Sequence, residues 1–122
     1  MGKDDVQTAL ADWPMEALAA FCRRWQIVEL AVFGSAVRGE LRPDSDVDLL
    51  VTFAHGARRS LTGQMQMQEE IEAILGRPVD LVNRRAIERS RNAIRRKAIL
   101  ESARTIYAEV AQLEKLLPPS NT

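Results

Sequence analysis

Two aspartates one residue apart, Asp46 and Asp48, open an apolar run that continues through Leu49, Leu50 and Val51. Asp is depleted from β-strands, so a pair of them leading a β-type segment needs a chemical reason. Alternate residues of a strand share a face. Both carboxylates therefore point the same way, about 6.6 Å apart along the chain, with Leu50 continuing that face. Val47, Leu49 and Val51 take the opposite face and are candidates for a core. Two bare carboxylates so placed would repel and hold a proton. A divalent cation removes the conflict, and carboxylate oxygens suit magnesium or manganese. Separated from Asp46 by ten residues, Gly34-Ser35 closes another apolar run, Ile27 to Phe33. A strand that turns through Gly into a helix offers free N–H groups and a positive dipole end to an anion, and Ser35 adds a hydroxyl. An anion grip beside metal-holding carboxylates is the layout of a nucleotide-handling site. Either half alone is a common turn or a solvated cap; the combination, with apolar strands on both sides, is specific.

The elements that must position these residues follow from the hydrophobic pattern. Residues 4–11 read as a short helix. Pro14 suits the first turn of a second one, on which Leu18, Phe21, Cys22 and Trp25 fall at i, i+3, i+4 and i+7 as a core-facing stripe. Cys22 on that stripe is packing and not a nucleophile, because no histidine lies near it in sequence. Ile27 to Phe33 and Asp46 to Phe53 are the first two strands. Between them a short helix from Ser35 to Arg38 and a turn at Pro43-Asp44 are expected. Arg38 has two readings, a contact to a phosphate or site carboxylate, or a surface salt bridge. The only histidine, His55, lies in a polar loop and reads as solvated.

A helix from about residue 60 places Leu61, Met65, Ile71, Ile74 and Leu75 near one face and stops at Gly76. A third strand, Arg77 to Val82, carries Asp80 in an otherwise apolar run. Asp80 is either an edge or turn carboxylate or, if this strand pairs beside the second, comes within about 5 Å of the aspartate pair. Between Arg84 and Lys97 seven basic residues face one acidic one, Glu88. Such runs are usually solvated helix faces, but this one follows the candidate site and part of it could meet a nucleotide or an acidic partner. Ile94, Ala98 and Ile99, with Leu100 beside them, supply its expected buried side. Thr105-Ile106-Tyr107 reads as a closing strand, and Val110, Leu113, Leu116 and Leu117 as a C-terminal helix before a disordered tail at 118–122. Helices and strands in this order make an α/β (α+β) fold, a small mixed β-sheet flanked by helices. One domain is expected over 1–122, with N-terminal helices to about 25, a core over 26–108 and the last helix over 109–117.

Composition narrows the function classes. At 122 residues, one hydrophobic core is expected. Seventeen basic and seventeen acidic residues cancel, so no bulk attraction to membranes or nucleic acid is expected. A single cysteine excludes an internal disulfide framework and fits a reducing compartment. No apolar run is long enough to span a bilayer, and residues 1–5 lack the apolar core of a signal peptide. A cytoplasmic protein is the simplest expectation. No G-x-x-x-x-G-K-[S/T] stretch is present, which argues against a P-loop ATPase.

Gly34-Ser35, ten residues, then Asp46-x-Asp48 resembles the signature of the DNA polymerase β-type nucleotidyltransferase superfamily. The short chain, with Arg38-Gly39-Glu40 between the halves and Ser45-Asp46-Val47-Asp48-Leu49 after them, resembles its minimal nucleotidyltransferase (MNT) branch over residues 26–108. The resemblance implies a polymerase β-like fold and magnesium (or manganese) held by Asp46 and Asp48. It implies ATP as substrate, with its phosphates gripped by Gly34, Ser35 and Arg38. It also implies a third catalytic carboxylate, to which Asp80 corresponds, acting as general base. Members of this branch are often antitoxins that transfer AMP to a tyrosine of a HEPN-domain RNase toxin, so such a toxin is the implied partner. Two alternatives remain open at this point: a non-catalytic antitoxin that masks its partner, and a transferase acting on RNA or on a small molecule such as an aminoglycoside.

Overall fold

The computed structural model describes residues 13–37, 39, 45–57 and 60–109. The expected helix at 4–11, the turn at Pro43-Asp44, the C-terminal helix and Arg38 lie outside the described residues. Helix α1 (Met15–Arg24) enters behind Pro14 and buries Leu18, Phe21 and Cys22, the stripe expected from their spacing. Strand β1 (Ile27–Phe33) runs into a 3-10 turn at Gly34–Ala36, and β2 (Val47–Phe53) returns antiparallel to it. Helix α2 (Leu61–Leu75) then crosses to β3 (Val79–Asn83), which pairs parallel to β2. Two short helices, α3 (Arg84–Glu88) and α4 (Ala93–Ser102), lead to β4 (Arg104–Ala108), antiparallel to β1. The sheet order is β3-β2-β1-β4.

Local chemistry sets the ends of α2. The Ser60 hydroxyl accepts the Gly63 N–H at 2.9 Å as an N-cap, and Gly76 takes the left-handed conformation, φ 71°, at the C-cap. Both are conformations these residues favour. Two of the apolar residues expected near one face of this helix are exposed: Leu61 at 79% and Met65 at 59%. The buried positions are Met67 and Ile71. The helix therefore joins the core through its middle turns, and its first turns stay in solvent.

The sheet has two unlike faces. One is covered by α1 and α2, and its core joins Leu18, Phe21, Ile27, Val47, Leu49 and Ile71 among others. The other carries a small cluster, Ala31, Phe33, Leu50, Ile87 and Ile99, under α3 and α4. Ile99 is the buried residue of α4; Ile94 is 85% exposed and Ala98 is exposed. Leu100 packs half-buried against the same cluster, so the buried side runs through Ile99 and Leu100 and leaves out Ile94 and Ala98.

Candidate functional site

Asp48 and Asp80 come together where β2 and β3 begin, and Asp46 is not among the residues that line the depression beside them. Asp46 stands just before β2 and is exposed, and Asp48 is the second residue of that strand and half-buried. Parallel pairing sets Asp48 directly opposite Asp80, at the usual spacing of about 4.8 Å between strands. Both alternate with core residues, Val47 and Leu49 in one strand and Val79 and Leu81 in the other. They therefore share the sparsely covered face.

Several bonds hold this register. The Val47 N–H donates to the Pro78 carbonyl at 3.0 Å, and Arg77 donates to the Ser45 carbonyl at 3.3 Å. Behind them, the Glu72 carboxylate accepts the Val79 N–H and the Gln68 amide, both at 3.0 Å. That amide also donates to the Val79 carbonyl. These bonds, the one from the Val79 backbone foremost, hold the Glu72 carboxyl below its usual range.

On the other side of Asp48 lies Phe33, its register partner in β1, followed by Gly34. Gly34 has φ 76°, a conformation that L side chains rarely adopt. A Cβ there would overlap Asp48 Oδ2 and stand 3.3 Å from its Cγ. Gly34 thus has a role that its place in an anion grip does not reveal: it leaves the space into which the Asp48 carboxylate fits. The segment after it, which includes Ser35, is a single 3-10 turn and not the short helix expected from sequence. Its dipole is correspondingly small.

Gly34, Phe33, Asp48 and Asp80 form one side of an open depression of about 330 Å³; Arg95, Ala98, Ile99 and Ser102 of α4 form the other. The α4 residues are spaced i, i+3, i+4 and i+7, one helix face. Arg95 was inside the basic run that the sequence marked only as a whole. Its spacing from Ile99, an apolar residue four positions on, was the signal that could have singled it out.

At the far end of the same face, Glu29 of β1 is buried, accepts the Thr105 hydroxyl at 2.7 Å and lies 3.9 Å from Arg84. No sequence pattern marked it. His55 is exposed, as expected for a loop histidine. Cys22 is fully buried, and desolvation foremost pushes its thiol up to about 12. It is packing, not a nucleophile.

The donors at this site are carboxylate oxygens, the type hard divalent cations take. Among the described residues, no three His, Cys, Asp or Glu side chains are gathered closely enough to form a metal cage. A pair of carboxylates would leave other coordination positions to water and phosphate oxygens, which is how magnesium usually sits in nucleotide enzymes.

Comparison with known proteins adds to this geometry. The nucleotidyltransferase domain family matches residues 14–106. The chain belongs to this family. A nucleotidyltransferase relative, the protein adenylyltransferase MntA of Thermococcus cleftensis, is 45% identical over 65 residues, 53% of this chain and 64% of that protein. The chain thus spans less than two thirds of that relative's length. A solved structure described as a candidate minimal nucleotidyltransferase shares 36% identity and a TM-score of 0.60, covering 81% of this chain and 93% of that one. It supports both the mixed-sheet fold and the resemblance to the minimal branch. A toxin–antitoxin structure with AMP-PNP aligns at TM-score 0.61 and 18% identity, covering 84% of this chain and 79% of that one. At that identity the likeness speaks for the fold alone. Among the described residues no helix is long and apolar enough to cross a membrane.

Proposed function

We propose that this nucleotidyltransferase moves AMP from ATP to a tyrosine hydroxyl of a HEPN-domain RNase toxin and so acts as its antitoxin. The observation that carries the transferase reading is the in-register pairing of Asp48 with Asp80, beside a glycine whose missing side chain admits the Asp48 carboxylate. A protein acceptor is supported by the name of the archaeal relative, a protein adenylyltransferase. The toxin partner and ATP are what the resemblance to the MNT branch implies, and a neighbour of the same fold was solved as a toxin–antitoxin with AMP-PNP.

In this scheme Asp46 and Asp48 hold magnesium or manganese, which when bound neutralises charge on the triphosphate. Gly34, Ser35 and Arg38 hold the phosphates. Asp80, exposed at the strand start and facing the depression, takes the proton of the attacking hydroxyl. The acceptor oxygen bonds to the α-phosphorus as the bond to the bridging oxygen breaks, and pyrophosphate leaves with the electron pair. The work takes place in the cytoplasm, on a protein surface and not on nucleic acid.

The test is intact-mass spectrometry of the chain with ATP, magnesium and the protein encoded by the adjacent gene, beside a parallel run with Asp46→Ala and Asp48→Ala together. Expected is a mass gain of one or more AMP groups on the partner, lost in the double variant. A silenced, co-purifying partner with no mass gain would sink the transfer and leave a masking antitoxin. With neither mass gain nor complex, transfer to RNA ends or to an aminoglycoside becomes the reading to pursue.

A further inference from the structure

Of the seven basic residues between Arg84 and Lys97, the fold engages two elsewhere. Arg84 reaches Glu88 at 3.4 Å and Glu29 at 3.9 Å, and Arg96 donates to the Ser90 carbonyl. Arg95 is the one that lines the depression with Gly34, Asp48 and Asp80. Its position is set by packing. Ile99, one turn on, is buried in the core cluster beneath α4, whereas Ile94 points away and is 85% exposed. That rotation brings residue 95 over the aspartates. The other α4 residues beside the depression include Ala98 and Ser102, both short, so the helix wall is overhung by a single long cationic side chain. No ion pair among the described residues engages Arg95.

A nucleotide entering here meets the Asp48 and Asp80 carboxylates on one wall and one guanidinium on the other. A guanidinium stays charged at any working pH, and its planar fork matches two phosphate oxygens at once. Resting on the transferase reading above, we propose that Arg95 is a phosphate-binding residue. Its guanidinium grips the nucleotide's phosphates opposite Asp48 and Asp80 and stabilises the charge that gathers as pyrophosphate departs. The rest of the basic run is then surface charge, not part of the site.

Equilibrium titration of the full chain with ATP and with adenosine, in magnesium, tests this in wild type, Arg95→Ala, Arg95→Lys and Lys97→Ala. Loss of a charge-assisted contact should weaken ATP binding about tenfold to a hundredfold in Arg95→Ala while adenosine binding stays as in wild type. Arg95→Lys should fall between, because it keeps the charge and loses the fork. Lys97→Ala, which removes an exposed charge from the same helix, should bind like wild type. The proposal is overturned if Arg95→Ala binds ATP normally or weakens ATP and adenosine alike, as a merely structural role would. An equal loss in Lys97→Ala would overturn it too, by pointing to bulk charge. Should folded wild-type chain bind no ATP, the transferase reading itself fails and Arg95 with it. Wild-type binding with an unaffected Arg95→Ala overturns the Arg95 assignment only.

Discussion

The two faces of the sheet differ in what they bury. The face under α1 and α2 is continuous hydrocarbon, from Leu18 and Phe21 through Val47, Leu49 and Val51 to Ile71. The face under α3 and α4 buries only a handful of apolar residues and places Asp48, Asp80 and Glu29 among or beside them. Burying apolar area is the main favourable term in folding, so the first face carries most of the stability. The second sacrifices some of that term to bring carboxylates and a guanidinium around an open space. Because strand side chains alternate, β2 serves both faces, and its adjacent residues have separable duties.

The sharpest way to break that comparison is to change two neighbours on β2. Asp48→Asn should abolish most AMP transfer, a loss on the order of 10³-fold or ~4 kcal/mol of barrier, while the melting temperature stays near that of wild type. Leu49→Ala, one residue on and fully buried on the other face, should cost about 2–5 kcal/mol of stability in chemical denaturation. If the two variants show the same phenotype, the division of labour between the faces is wrong.

Gly34→Ala probes the seam between the faces. It imposes a side chain at φ 76° and pushes against the Asp48 carboxylate. Displacing that group by even ~1 Å can cost about 10²-fold in rate. Transfer activity should drop by about that factor, with a smaller fall in melting temperature from the strained backbone.

A milder effect is expected at Glu72, which ties α2 to the start of β3. Its carboxyl is held below the usual glutamate range by the Val79 N–H first and Gln68 second. A group with a lowered folded pKa stabilises above its unfolded pKa and loses that contribution as pH falls through the folded one. Thermal unfolding followed from pH 7 down to about 3 should show wild type losing stability below about pH 4.5, with a shallower loss in Glu72→Gln.

The smallest change is Thr52→Val. Thr52 lies on the polar face opposite Glu29, and its hydroxyl is buried without a partner among the described residues. Replacing it with a methyl group of the same shape should raise stability by about 1 kcal/mol, read as a higher denaturation midpoint. A fall instead would mean that the hydroxyl is hydrogen-bonded in solution.

Much of this was legible from the residues in order. The Gly34-Ser35 and Asp46-x-Asp48 combination reads as a nucleotide-handling site and resembles the nucleotidyltransferase signature, and period-two alternation put Asp48 and Leu49 on opposite faces. The Gly76 stop and the Leu18, Phe21, Cys22 stripe are likewise local, because each depends on conformational preference or helix periodicity within a few residues. Other features depend on contacts between distant segments. Parallel pairing of β2 with β3 placed Asp80 opposite Asp48, a register that no single strand specifies. The close fit of Gly34 to Asp48 needed β1 and β2 side by side. Where a helix meets the sheet decided that Leu61 and Met65 stay in solvent while Met67 is buried, and that Arg95, not Ile94, faces the aspartates. Sequence alone determined which chemical groups were available and which alternated together. Tertiary structure decided which of them met, because helix rotation and strand register are fixed by packing energy summed over the whole core.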